Sequence, residues 1–395
     1  MDGARLKAFR KLGIGSDRKT ILCLDGGGVR GIMTLQLLIE LEKIAGIPCY
    51  RLFDMVAGTS TGSIIAGLIA SGKDANFIAD LYKEMAQPIF THRPWGFQLL
   101  NPPTYTKKNY RKILSDKIKN VTLKSACDQT GIDLLITSKD ISAGEETFFS
   151  YIRKRVSPKN TYENILLRAC MEATMSAPTY FTSFNRFVDG GVTTYNNPSL
   201  GAIIEASQYA KDAKGKPIYP SEKLTVFSFG TGCSLYFVDP KEAMKKTGPL
   251  ANLFWLNWLM GETSDDSSDM QTYLLRSNLI SGLEYRRFQI SMDRKAIKKL
   301  PNLTFGPIEG LASTTLWDLT KDDLSNMGLD GVKYVPLLET IGKGMVSFIK
   351  KVQKNPFNSD LIGKNGSELL VTREGDVEQI KQNLKSPAWI DKEPD

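Results

Sequence analysis

The sequence predicts an α/β protein built on a central, mostly parallel sheet. Three observations carry that expectation. The apolar run Thr20-Ile-Leu-Cys-Leu24 passes through Asp25-Gly-Gly-Gly-Val-Arg-Gly31 into Ile32–Ala45, where Ile32, Leu35, Leu38, Leu41 and Ile44 recur at helical spacing. Phe53-Asp-Met-Val-Ala57 then repeats the unit: a short buried-type strand, a tight Gly58–Gly62 turn, and the apolar helical run Ser63–Ala70. Further strand-like runs follow at 133–137, 146–151, 186–188, 224–229 and 283–290, with helical stretches between several of them. Strands that alternate with helices are joined by crossovers, and crossovers make parallel neighbours.

The remaining elements follow in order. Gly46 and Pro48 stop the first helix. Asn76–Met85 reads as a helix that Gln87–Tyr105 does not continue, because Pro88, Pro94, Pro102 and Pro103 break it. That stretch carries Phe90, Trp95, Phe97, Leu99 and Leu100, which suit a lid, a membrane-contacting loop, or aromatics tucked onto the core. Lys107–Lys119 reads as a basic helix and Ile165–Thr174 as another. Leu200–Ala210 is helical and Lys211–Glu222 is a polar loop. Leu250–Met260, with Phe254, Trp255 and Trp258, reads as a buried core helix. Ser264–Asp269 reads as an acidic, serine-rich cap before a second helix around Met270–Leu279. Gly331–Lys354 is a long helical pattern, after which the composition turns polar.

Composition narrows the class. A chain of 395 residues makes one large domain or two. The 42% apolar content suffices for a core, and no apolar run reaches the roughly 18–20 residues of a membrane span. Met1–Lys19 has no apolar core of a secretory signal. Five scattered cysteines, odd in number and without a C-x-x-C pair, read as free thiols in a reducing compartment. A cytoplasmic location follows as the expectation. The net charge of +8 favours anionic partners, with basic residues gathered in Lys107–Lys124, Arg153–Lys159 and Arg294–Lys299. The single histidine, His92, lies in a proline-containing loop.

The chemistry concentrates in three motifs. Gly58-Thr-Ser-Thr-Gly62 is a G-x-S-x-G between a strand and a helix, the context of a nucleophile elbow around Ser60. Gly26, Gly28 and Gly31 satisfy G-x-G-x-x-G between a strand and a helix. That pattern suits a dinucleotide pyrophosphate, with Glu42 and Asp54 loosely bracketing the acidic position expected for the ribose. The same backbone amides suit an oxyanion hole. A serine also needs a group to take its proton. His92 serves only if its loop folds back over Ser60. Asp189, which ends an apolar strand at Asp189-Gly-Gly191, serves if it is desolvated and within reach.

Taken together, Asp25-Gly-Gly-Gly-Val-Arg-Gly31, Phe53–Gly62, Ser176-Ala-Pro-Thr-Tyr-Phe181, Asp189-Gly-Gly191, Phe229-Gly-Thr-Gly232 and Ser268-Asp-Met-Gln-Thr-Tyr-Leu274 resemble the patatin-like phospholipases. The resemblance runs from Lys19 to Ile290 and weakens toward Lys351. It implies a three-layer α/β/α fold with a histidine-free dyad, Ser60 as nucleophile and Asp189 as base. Gly26, Gly27, Gly28 and Arg30 match the oxyanion motif. Gly31, Gly58, Gly62, Gly190 and Gly191 complete the motifs. The implied reaction is hydrolysis of acyl esters in membrane phospholipids or galactolipids through an acyl-enzyme. No cofactor, metal ion or nucleic-acid partner is implied.

A basic, aromatic-bearing surface suits peripheral docking on an anionic membrane. Some bacterial members resemble effectors switched on by a cyclic-nucleotide second messenger, so such an activator is a candidate partner. The expected organisation is an extension at 1–18, a catalytic domain at 19–290, a helical part at 291–354 packed on the same domain, and a polar tail at 355–395. Two alternatives compete: a Rossmann-type nucleotide-binding protein using Gly26–Gly31, and a non-catalytic protein that keeps the fold.

Overall fold

The computed structural model describes residues 2–91, 104–233, 249–277, 279–325, 327–362 and 369. His92, Trp95, Phe97, Leu99 and Leu100, with the prolines at 94, 102 and 103, lie outside the described residues.

Among the described residues, seven strands form one sheet: β1 (Lys19–Leu24), β2 (Met55–Gly58), β3 (Asp133–Asp140), β4 (Glu145–Tyr151), β5 (Phe187–Asp189), β6 (Leu224–Phe229) and β7 (Glu284–Phe288). Their order is β4-β3-β2-β1-β6-β7, with β5 paired to β3. The central pairs β3–β2, β2–β1, β1–β6 and β6–β7 are parallel, and β4 and β5 run antiparallel to β3. The mostly parallel α/β class expected from the alternating pattern is thus observed.

The helices are α1 (Gly3–Lys11), α2 (Gly31–Ala45), α3 (Cys49–Leu52), α4 (Thr61–Ala70), α5 (Ala75–Ile89), α6 (Lys108–Ile118), α7 (Leu123–Thr130), α8 (Leu167–Thr174) and α9 (Ser199–Ile204). They continue with α10 (Pro249–Arg276), α11 (Arg294–Ile297), α12 (Lys321–Ser325) and α13 (Val335–Val352). Among the described residues, no helix is long and apolar enough to cross a membrane.

Side-chain alternation along the strands builds two cores. Leu22 and Leu24 of β1, Val56 of β2 and Phe227 and Phe229 of β6 face one large cluster under α1, α2, α4, α5 and α13. Ile21 and Cys23, Met55 and Ala57, and Val226 face the other side, against Ala202, Ile203 and Ala206 and against Leu275 of α10. The sheet is therefore covered on both faces, which explains why its strands read as near-continuous apolar runs. Ala8, Phe9 and Leu12 of the N-terminal segment are buried in the larger cluster. Phe357 is buried against Phe229 and Phe288.

Several elements differ from the sequence expectation, which included neither α1 nor α3. Helix α5 runs on to Ile89 with Pro88 inside its last turn. Pro88 lacks the N–H that would bond back to the Glu84 carbonyl, and the helix ends one residue later at Ile89. Helix α7 was not anticipated; its eight residues carry too few apolar positions for a clear period. The expected helix at Leu200–Ala210 divides into α9 and a π turn at Glu205–Tyr209. The two helices expected around Leu250–Met260 and Met270–Leu279 are one, α10, with Ser264–Asp269 inside it rather than capping it. Within that stretch the Ser267 hydroxyl bonds back to the Thr263 carbonyl at 2.6 Å, so a serine read as a cap is accommodated mid-helix.

Candidate active site

The parallel register sets the C-terminal ends of three strands side by side. Leu24 pairs with Gly58 on one side and with Phe229 on the other. The glycine loop, the Ser60 turn and Gly230-Thr-Gly232 therefore leave the sheet together, at the end where ligands meet parallel sheets.

Ser60 sits between β2 and α4 at φ 50° and ψ −124°. A non-glycine residue rarely adopts that region, so the turn holds the serine in a strained conformation with its side chain projecting. The two flanking glycines are required by contact. A Cβ on Gly58 would run into the Gly62 carbonyl, and one on Gly62 into the Leu24 and Asp25 carbonyls. Side chains far away in sequence brace the turn. The Ser60 N–H donates to Thr174 Oγ1 at 2.8 Å, and Thr59 Oγ1 bonds Thr137 Oγ1 at 2.7 Å and the Tyr195 carbonyl at 2.8 Å.

Asp189 reaches Ser60 because β5 pairs with the far end of β3, Ser138 opposite Asp189. Ser60 Oγ donates to Asp189 Oδ2 at 2.6 Å, and the Gly191 N–H donates to Asp189 Oδ1 at 2.7 Å. Asp189 is 5% exposed. Burial pushes its carboxyl up to about 6, against the opposing pull of the Ser60 hydroxyl and the Gly191 amide. It makes no ion pair among the described residues. A buried carboxylate of that kind is poised to accept a proton.

The glycine loop adds donors. Gly27 precedes a short 3₁₀ turn at Gly28–Arg30, and Gly28 has φ 55°. Most of its backbone groups are engaged. The Gly26 N–H donates to the Asn196 carbonyl, and the Gly26 carbonyl accepts from Thr231 Oγ1 at 2.8 Å. The Arg30 N–H donates to the Gly27 carbonyl at 3.1 Å and the Val29 N–H to the Leu329 carbonyl at 2.8 Å. The Gly28 carbonyl accepts from Tyr82 Oη. The amides of Gly27 and Gly28 have no hydrogen-bond partner among the described residues. Of the four residues in the expected oxyanion motif, these two offer open N–H groups, while those of Gly26 and Arg30 are occupied. Gly31, Gly190 and Gly191 lie where expected, as the start of α2 and the turn after Asp189.

These groups line one cavity of about 560 Å³. Its polar end holds Ser60, Asp189, Gly26–Gly28 and Arg30; Ile89, Phe90, Met175, Phe181, Phe254 and Trp258 supply apolar wall. Phe254 and Trp258 therefore face a cavity rather than a closed core. Phe90 packs on Tyr105 and Phe181, which settles that aromatic as core-attached. The Arg30 guanidinium makes no ion pair among the described residues, and its buried Nε has no partner.

Several contributors were not singled out from the sequence. Arg287 forms a buried fork with Asp25, at 2.8 and 2.5 Å. Leu329 holds the glycine loop from a segment three hundred residues downstream. The consecutive Arg286 and Arg287 within the expected strand 283–290 were a usable signal, because an arginine buried in a sheet must find a partner.

The nucleotide alternative loses its acidic residue. Glu42 lies near the far end of α2, accepting from the Cys49 and Ala75 amides at 2.8 and 2.9 Å. Asp54 lies at the opposite end of the sheet, bonded to the Thr20 amide and paired with Arg5 and Lys19. Neither approaches the glycine loop.

Fold and site together define a serine-and-carboxylate arrangement of the kind that acyl-transfer hydrolases use. Comparison with known proteins agrees in class. Residues 22–203 match the family model for patatin-like phospholipase. The chain is 31% identical over 357 residues to patatin-like protein 1 of Arabidopsis thaliana, covering 80% of each. It is 33% identical over 223 residues to the 85/88 kDa calcium-independent phospholipase A2 of Mus musculus, covering 54% of this chain and 27% of that protein. It is 26% identical over 356 residues to the cGAMP-activated phospholipase of Vibrio cholerae, covering 84% of this chain and 94% of that protein. The chain belongs to the patatin-like phospholipase family. It spans little more than a quarter of the length of its mouse relative.

Proposed function

We propose that this protein is a lipid acyl hydrolase of phospholipase A type, acting through Ser60 and Asp189. The observation that carries the reading is the 2.6 Å contact between a strained, elbow-borne serine hydroxyl and a buried carboxylate that has no cation beside it among the described residues. Ser60 Oγ attacks the ester carbonyl carbon while its proton passes to Asp189 Oδ2. The carbonyl oxygen becomes an oxyanion, and the Gly27 and Gly28 amides donate to it. Collapse breaks the C–O bond; the departing alkoxide takes the proton from Asp189, and the acyl chain stays on Ser60. Asp189 then deprotonates a water that attacks the acyl-enzyme. The fatty acid leaves, and Ser60 recovers its proton.

Arg30, whose guanidinium makes no ion pair among the described residues, supports a phospholipid over a neutral galactolipid, since it offers a charge-assisted bond to a headgroup phosphate. Such a bond is worth about 1.5–3 kcal/mol. Arg30→Gln is therefore expected to lower kcat/KM for a phospholipid by about tenfold or more. A neutral ester of the same acyl chain should change by less than about twofold. Equal losses on both substrates would remove the headgroup role.

Similarity to the Vibrio cholerae enzyme supports a cyclic-nucleotide activator, and the net charge of +8 supports peripheral work at an anionic membrane. The test is hydrolysis of anionic phospholipid vesicles by wild type and Ser60→Ala, with and without a panel of cyclic di- and trinucleotides. Fatty-acid release by wild type and none by Ser60→Ala is the expected result. Release only with a nucleotide present establishes gating. Equal release by the two proteins overturns the dyad.

A further inference from the structure

The glycine loop has almost no side chains with which to hold itself. Between Asp25 and Arg30 it carries three glycines and Val29. Glycine leaves the backbone free, so the direction of the Gly27 and Gly28 amides is imposed by contacts. Thr231 Oγ1 holds the Gly26 carbonyl in the Gly27 peptide plane, the Arg30 N–H holds the Gly27 carbonyl in the Gly28 plane, and the loop's two ends set where those planes start. At one end the Leu329 carbonyl holds the Val29 N–H at 2.8 Å. At the other stands Asp25, whose N–H still follows the sheet, donating to the Phe229 carbonyl at 3.0 Å, and after which the chain turns away.

Arg287 of β7 holds that second end. Its side chain is 1% exposed. Nη1 donates to Asp25 Oδ1 at 2.8 Å and Nη2 to Asp25 Oδ2 at 2.5 Å. Nη1 also reaches Ser228 Oγ at 2.8 Å, and Nη2 reaches Ser268 Oγ on α10 at 3.1 Å. A buried ion pair adds little net stability, because desolvation offsets the attraction. What it supplies is geometry, since a two-pronged guanidinium–carboxylate fork fixes the plane of both groups.

Resting on the hydrolase reading above, we propose that Arg287 is a positioning residue: it orients the Gly27 and Gly28 amides through Asp25, and couples that orientation to the cavity-lining helix α10 through Ser268. Two physical consequences follow. Loss of the fork lets the amides wander, which weakens the bond to the oxyanion more than the bond to bound ester. Loss of Arg287 alone also leaves the Asp25 carboxylate uncompensated beside the place where negative charge develops. Through Ser268, Arg287 and Asp25, a shift of the helix bearing Phe254 and Trp258 reaches the catalytic amides.

The test is steady-state hydrolysis of a soluble short-chain ester, with thermal denaturation in parallel. The proteins are wild type, Ser60→Ala, Asp25→Asn, Arg287→Gln, Arg287→Lys, Ser268→Ala and the Asp25→Asn/Arg287→Gln pair. Asp25→Asn and Arg287→Gln are each expected to lower kcat about 100-fold while KM moves less than about threefold. The pair is expected to be no worse than the worse single, because both remove one interaction. Arg287→Lys should recover part of the loss. Ser268→Ala should lower kcat a few-fold without lowering the melting temperature.

Wild-type kcat per folded molecule with a lowered melting temperature would show a structural role only, and would overturn the inference. Should the single variants not fold, the charge-free pair and Ser268→Ala decide it, and wild-type kcat in both overturns it. Absence of hydrolysis by wild type both with and without the cyclic di- and trinucleotide panel, or retention in Ser60→Ala, overturns the hydrolase reading itself, and this inference with it.

Discussion

Asp189→Asn is expected to abolish ester hydrolysis while making the protein more stable at neutral pH. The loss of activity follows from the proposed role: an amide cannot take the Ser60 proton, and both acylation and deacylation need that transfer. A general base contributes about 10²–10⁴-fold, and the upper part of that range is expected where one residue serves two steps. The gain in stability follows from burial. The Asp189 carboxyl is pushed from 3.8 to about 6 in the folded protein. The folded state then binds this proton more tightly than the unfolded chain does. The charged form carries no penalty below pH 4, acquires it between pH 4 and 6, and bears it in full above pH 6. Two units correspond to about 3 kcal/mol as an upper bound.

Asparagine escapes that cost. Its carbonyl oxygen can still accept from the Gly191 N–H, and its amide can donate to Ser60 Oγ. Denaturant titrations of wild type and Asp189→Asn at pH 7.5 and pH 4 should therefore show a stabilised variant at the higher pH only. The wild-type pH–rate profile should reach half its plateau near pH 6 and fall about tenfold per unit below it. A variant no more stable than wild type at pH 7.5, together with a flat profile between pH 5 and 8, would remove Asp189 from the role of base.

Gly28→Ala is expected to cost about 10²–10³-fold in kcat, the range for removing an oxyanion donor. Gly28 has φ 55°, and a Cβ there would collide with the backbone of Leu329. The loop can relieve the clash only by breaking the Val29–Leu329 hydrogen bond, which swings the Gly27 and Gly28 amides away from the cavity. Gly144→Ala is the matching control. Gly144 has φ 74° in the turn between β3 and β4 and meets nothing within 4 Å. It carries the same left-handed strain, costing about 1–2 kcal/mol of stability, and kcat should stay at the wild-type value. Activity preserved in Gly28→Ala would mean that these amides do not face the oxyanion.

Much of the site was legible in advance because its constraints are local. Gly58 and Gly62 flank Ser60 because a Cβ at either meets a backbone carbonyl, and that requirement leaves a mark in five consecutive residues. The strand–loop–helix units were legible for a related reason: a strand covered on both faces must be apolar along its length. Asp189 was weaker as a sequence signal, since Asp-Gly-Gly is also an ordinary turn. Its place beside Ser60 depends on β5 pairing with the far end of β3.

The chain's order of α/β units, its strained serine and its glycine loop were thus determined by the sequence alone, through apolar periodicity and the places where only hydrogen fits at Cα. The rest depended on contacts across long separations, which leave no local pattern. The Thr174 hydroxyl bracing Ser60, the Asn196 carbonyl taking up the Gly26 amide, the Leu329 carbonyl holding Val29 and the Arg287 fork on Asp25 all come from elements remote in sequence. The same is true of α10, whose Ser264–Asp269 stretch looked like a cap. It became the interior of a 28-residue helix where Phe254 and Trp258 line the cavity and Ser268 meets Arg287. Which amides stay open to a ligand, and which are spent on the protein itself, was decided only when those distant groups came together.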